Sequence, residues 1–112
     1  MVDVETFREL ALSFEEAVEQ PHFHKSSFRI RKKIFASLDE EKKAIVVKFS
    51  DHEQVTFVAL ASTSIAPVKG AWGKQGWTEI DLQTISEDIL SYAIKTSYCR
   101  VAPKSLAQNY TS

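Results

Sequence analysis

The stretch Pro21-His-Phe-His-Lys-Ser-Ser-Phe-Arg-Ile-Arg-Lys-Lys-Ile-Phe-Ala-Ser-Leu38 decides the fold, because hydrophobic period, charge sign and a chain reversal change together within it. Phe28 and Ile30, then Ile34, Ala36 and Leu38, alternate with polar neighbours, the period-2 signature of strands with one buried face. The segment reads as a β-hairpin turning around Arg31-Lys32. A tight primed turn favours Asn and Gly over these residues, so strain or a longer loop is expected there. The face opposite the apolar set carries Lys25, Arg29, Arg31 and Lys33, with Phe35 among them. From Pro21 to Phe35 there are five cations (Lys25, Arg29, Arg31, Lys32, Lys33) and no carboxylate. This local excess points to an anionic partner.

Outward from the hairpin, charge is sorted along the chain although the total is only −1. Before Pro21, six acids (Asp3, Glu5, Glu9, Glu15, Glu16, Glu19) face Arg8 alone. Between Thr78 and Ile94 there are acids and no base, and from Lys95 onward bases and no acid. A near-neutral total therefore does not argue against nucleic-acid binding. The 112 residues fit one domain, 1–112, with a core over about 3–105 and a tail from Gln108 to Ser112 that can fray. Hydrophobic content of 44% with 26% charged residues is that of a globular protein rather than a disordered one. No apolar run approaches the roughly 18 residues of a membrane span, and the acidic N-terminus is unlike a signal peptide. The lone Cys99 fits a reducing compartment, so a cytoplasmic location and no membrane partner are expected.

Taken in order, Asp3 can cap a first helix whose Val4, Phe7, Ala11 and Phe14 share a face. Ser13 with Glu16 resembles a capping box and predicts a separate helical turn before Pro21. After the hairpin and a polar reversal at 39–43, Ala44-Ile-Val-Val-Lys-Phe49 reads as a third strand. Ser50 to Glu53 is a capping box opening a helix that carries Val55, Val58 and Ala59 toward the sheet. Ile65-Ala-Pro-Val68 is extended, and Lys69 to Trp77, with all three glycines and both tryptophans, is a loop. A strand from Trp77 to Leu82 follows. Thr84 and Glu87 then suggest the capping box of a last helix with Ile85, Ile89, Leu90 and Ala93 inside, ending near Tyr98 to Arg100. The order α-β-β-β-α-β-β-α predicts an α+β domain with helices packed on one face of an antiparallel sheet. The uncovered face would hold Lys25, Arg29, Arg31, Lys33, Phe35, Val46 and Lys48.

The succession of a helix, Pro21-His-Phe23, Ser27-Phe-Arg29, Lys33-Ile-Phe-Ala36, Val47-Lys48, Gly76-Trp77, and Ser97-Tyr98 with Val101-Ala102 resembles the MmcQ/YjbR family of small bacterial proteins. The resemblance spans about residues 5 to 105. It implies a CyaY-like (frataxin-like) fold and a DNA-binding role, described for some members as a double-wing motif, without an assigned biochemical activity. Family members often have Gly in the first hairpin turn, where this chain has Arg31-Lys32.

The expected DNA contacts are Lys25, Arg29, Arg31, Lys32, Lys33 and Lys48, joined by Trp72 and Lys74 from the glycine-rich loop and by Arg100 and Lys104 near the chain end. Lys and Arg neutralise phosphates, and loop aromatics can stack on exposed bases. Each has a plainer reading. Strand-edge lysines discourage aggregation, Trp77 can cap the core, and cations after the last helix complement its dipole. His22 and His24 do not complete a metal site, and no metal or cofactor is expected. The frataxin-like resemblance also suggests an alternative, weak iron handling or protein docking through Glu5, Glu9, Glu15, Glu16 and Glu19. With no P-loop, Rossmann glycine pattern or nucleophile elbow, and Cys99 read as a core thiol, catalysis is not expected. The expectation is a monomer that binds DNA with little base discrimination.

Overall fold

The computed structural model describes every residue except Phe23 and Ser112, and His22 by its backbone alone. Helix α1 (Val4–Leu12) leads into β1 (Val18–His22), β2 (Lys25–Ile30), β3 (Lys33–Asp39) and β4 (Ala44–Lys48). Then come α2 (Asp51–Leu60), β5 (Ile65–Pro67), the single turn α3 (Ala71–Lys74), β6 (Trp77–Asp81), α4 (Glu87–Val101) and α5 (Lys104–Ala107). The six strands form one antiparallel sheet in the order β1-β2-β3-β4-β6-β5. The expected α+β architecture is present, with β1, α3 and α5 in addition.

The helix starts follow the capping chemistry. Asp3 accepts a hydrogen bond from the Thr6 amide at 2.7 Å, and Ser50 with Glu53 forms a reciprocal capping box at α2. At α4 the cap is Ser86, whose hydroxyl accepts from the Ile89 amide, rather than Thr84, which is engaged with the Ser64 hydroxyl at 2.8 Å. The helical turn expected at Ser13 to Glu16 does not continue. Glu16 has φ 64, the chain reverses, and β1 pairs with β2 from Val18↔Arg29 to His22↔Lys25. Pro21 is tolerated because β1 is an edge strand.

The core lies between the sheet and α1 and α4. Phe28, Ile30, Ala36, Leu38, Ile45, Val47 and Ile80 from the sheet meet Phe7, Ala11, Leu90, Ala93, Ile94 and Tyr98 from the helices. Phe35 and Ile34 exchange the roles that simple alternation assigns them. The β2–β3 register jumps between Phe28↔Ala36 and Arg29↔Ile34, so Phe35 is the extra residue of a bulge. A bulge turns two successive side chains to the same side. Phe35 accordingly joins Ala36 inside, with its ring edge-on to Tyr98 at 5.4 Å, and Ile34 moves to the other face. Helix α2 is also rotated from expectation: Phe57 is its buried residue and Val55 is 69% exposed.

The glycine-rich segment is shaped by close approach. A side chain at Gly76, where φ is 102, would fall 1.9 Å from the Phe49 carbonyl oxygen, and one at Gly73 would meet Val68 O at the same distance. Both positions are closed to any larger residue. They hold α3 against β4 and β5 and thereby fix Lys74 and Trp77 at one end of the sheet.

Candidate functional site

That end of the sheet is where the chain gathers its cations. The β2–β3 reversal is a tight two-residue turn, Ile30↔Lys33 being the last pair, with Arg31 at φ 48 and Lys32 at φ 72. Both central residues are thus left-handed, the geometry of a primed hairpin turn, adopted here without Gly or Asn. It projects Arg31, Lys32 and Lys33. At the same end lie Lys48, closing β4, Lys74, three residues before β6, Arg100 in the last turn of α4, and Lys104, three residues beyond α4.

Between these elements the sheet is split. β3 and β4 pair from Asp39↔Ala44 to Ala36↔Val47 and no further. Buried Ser97 of α4 fills the gap, its hydroxyl donating to the Phe35 carbonyl at 2.6 Å and accepting from the Lys48 amide at 2.8 Å. A side chain thus satisfies two backbone groups that the missing ladder rung would have served. Beyond the split opens a slot of about 450 Å³ lined by Lys33, Ile34, Lys48, Trp77, Arg100 and Val101. Lys48 Nζ donates to the Gln75 carbonyl and lies 5.0 Å from the centre of the Trp77 ring, a cation–π contact that holds both side chains. Gln54 of α2 braces the neighbouring backbone, donating to Gly73 O at 3.0 Å and to Thr78 Oγ1 at 2.9 Å.

Not every expected contact residue is a free charge. Arg31 is forked onto Glu16 at 3.0 and 3.1 Å. Arg100 binds Glu53 at 2.7 and 3.3 Å, and its Nη1 makes no hydrogen bond among the described residues. Burial pushes the Glu53 carboxyl up, but the hydrogen bonds from Arg100 and the Ser50 amide outweigh it and leave the carboxyl below its ordinary value. Arg29 donates to Ser27 Oγ at 3.0 Å on the uncovered face. Lys25 is paired in register with Asp39 at the far end, where it shares a small recess with Lys42 and is separated from the cations of the hairpin turn. Lys32, Lys33, Lys74 and Lys104 are exposed. Trp72 is 62% exposed on α3, while Trp77 is half-buried. Sequence reasoning passed over Ile34 and Val101 as site residues, since the first read as core and the second as a helix end. The bulge at Phe35 is what frees Ile34, and no local signal announces it.

Several carboxylates of the acidic N-terminal segment are engaged by side chains of the protein, two of them by one guanidinium. Arg8 binds Glu5, Glu19 and Glu40, Glu16 binds Arg31, and Glu15 accepts from Asn109. Among the described residues no group of three or more His, Cys, Asp or Glu side chains gathers in metal-binding geometry. The pairing of His22 with His24 lies outside the described residues. Cys99 is half-buried, and its thiol is pushed up by burial.

A family model, YjbR, matches residues 12–100. The chain belongs to the YjbR family. The fold of this YjbR protein is similar to that of Deinococcus radiodurans protein DR2400, a crystal structure described by the domain DUF419, with a TM-score of 0.79 and 18% identity over 97% of this chain and 88% of that one. At that identity the likeness is one of fold. No protein of curated function matches the chain. Among the described residues no helix is long and apolar enough to cross a membrane. The matched span includes the hairpin, the split between β3 and β4, Trp77 and Arg100, and therefore all of the slot's lining except Val101.

Proposed function

We propose that this YjbR protein binds DNA through the cationic end of its sheet. The observation that carries the reading is topological: the β2–β3 turn, the end of β4, the start of β6 and the end of α4 bring Lys32, Lys33, Lys48, Lys74 and Arg100 together, whereas at the opposite end Lys25, Lys42 and Lys43 stand among the more numerous carboxylates of Asp39, Glu40, Glu41, Asp81, Glu87 and Asp88. A molecule with a net charge of −1 thus presents phosphates with a positive pole, which orients as well as attracts them. The expected uncovered face contributes less than its end does. Glu79 and Asp81 share it with Lys25, Arg29 and Lys48, and Arg31 is tied to Glu16.

Lysines supply most of this surface, and as point charges on flexible stems they neutralise phosphates without reading base edges. Binding is accordingly weakly selective and strongly dependent on salt. Titration of a short duplex across a salt series tests it. With roughly four phosphates neutralised, log K should fall against log salt with a slope of about −3 to −4. No detectable binding of duplex or of single strand at low ionic strength, or amide shifts confined to Asp39–Lys43, overturns the reading.

A further inference from the structure

Resting on that reading, we infer that the slot between the parted ends of β3 and β4 accepts an unstacked nucleobase, so that the preferred ligand is a single-stranded DNA segment rather than a closed duplex. Phosphate attraction alone requires only exposed cations, but this site also has an apolar interior. Ile34, Trp77 and Val101 form it, and Lys33, Lys48 and Arg100 stand around its rim. Its volume of about 450 Å³ is within the range of small-molecule pockets, about 300–1,000 Å³, and exceeds what one planar base occupies.

The slot is also preorganised. Ser97 holds the strands apart by bonding to both, the Lys48 ammonium fixes the Trp77 indole, and Glu53 steadies Arg100 while leaving Nη1 for an acceptor. A duplex keeps its bases stacked and presents only sugar and phosphate to such a recess. A single strand can turn a base into it, cover the apolar floor, and leave its two flanking phosphates at the rim cations. Stacking of a base on an aromatic side chain contributes about 1–3 kcal/mol and is tolerant of sequence.

The test compares a short oligo(dT) with an abasic tetrahydrofuran oligomer of the same length and charge, at low ionic strength, on the Trp72→Phe protein, in which Trp77 is the sole tryptophan. Oligo(dT) should bind on the order of tenfold more tightly than the abasic oligomer and quench the Trp77 fluorescence saturably. In Ile34→Asp, which places a carboxylate on the slot floor, the preference should vanish. Equal affinity for the two oligomers with unchanged fluorescence overturns the slot and leaves the DNA reading standing. Failure of both oligomers and of duplex to bind overturns both.

Discussion

At one end of the sheet β3 and β4 run together through a regular ladder into the Asp39–Lys43 reversal, and the surrounding side chains are mainly carboxylates; at the other end the same two strands part, Ser97 stands between them, and the side chains are mainly cationic. The regular end is what alternation of apolar and polar residues describes. The parted end depends on a bulge and on a serine reaching in from α4, and these two features create the recess. Where the ladder stops, backbone groups need other partners and side chains can be re-aimed. The part of the molecule suited to binding is the part that departs from the regular pattern.

The largest test of this contrast exchanges neighbours on β3. Phe35→Ala should cost about 3–5 kcal/mol in chemical denaturation, because a fully buried ring that meets the stacked Tyr98 and Phe14 edge-on is lost. Ile34→Ala, on the slot side, should cost under about 1 kcal/mol. A reversed ranking would mean that β3 has no bulge and that the slot does not exist.

Ser97→Ala comes next. It strands the Phe35 carbonyl and the Lys48 amide, and a loss of about 1–3 kcal/mol is expected together with faster hydrogen exchange at Lys48. Exchange at Ile45, in the regular part of the ladder, should change far less; equal acceleration at both would deny that Ser97 acts on the parted end.

Acidification probes the ion pairs. At Glu19 and Glu53 burial pushes the carboxyl upward, but hydrogen bonds outweigh it, those of Arg8 and Ser26 on Glu19 and those of Arg100 and Ser50 on Glu53. Both folded values lie below the unfolded ones. The stabilisation they give is present above the ordinary glutamate value of about 4.3 and is lost as the pH falls through the folded values. The melting temperature should therefore drop as the pH is lowered from about 4.3, and Glu53→Gln should flatten that drop. An unchanged pH profile in the variant would show that the Arg100 pair contributes nothing.

The smallest effect is at the turn. Replacing Lys32 by Gly removes a side chain from a left-handed position and should raise stability by about 0.5–1 kcal/mol while weakening DNA affinity. Stability and binding would then move in opposite directions, as expected where a strained backbone holds a cation in place.

Much of the fold was legible in the sequence because its signals are local. Asp3 and Ser50 cap as their spacing indicates, and the runs Phe28 to Ile30 and Ala44 to Phe49 alternate as strands do. β1 was hidden by Pro21 and the Ser13–Glu16 pattern, since an edge strand accepts proline and a capping pattern cannot show that no helix follows. The rotation of α2, with Val55 outside and Phe57 inside, depends on its packing against the sheet rather than on its own weakly periodic pattern. Charge sorting along the chain was visible, but its conversion into two poles needed the register: Lys25 and Lys33 belong to one hairpin and end at opposite ends of the sheet.

The most direct measurement compares two charge-matched variants in duplex titration across a salt series. Lys32→Glu/Lys33→Glu and Lys42→Glu/Lys43→Glu change the net charge equally, one at each end of the sheet. The first should lower affinity at least tenfold and reduce the salt slope by about 2, and the second should leave the slope unaltered. Equal losses in the two variants would mean that overall charge rather than the cationic end governs binding, and would contradict the account.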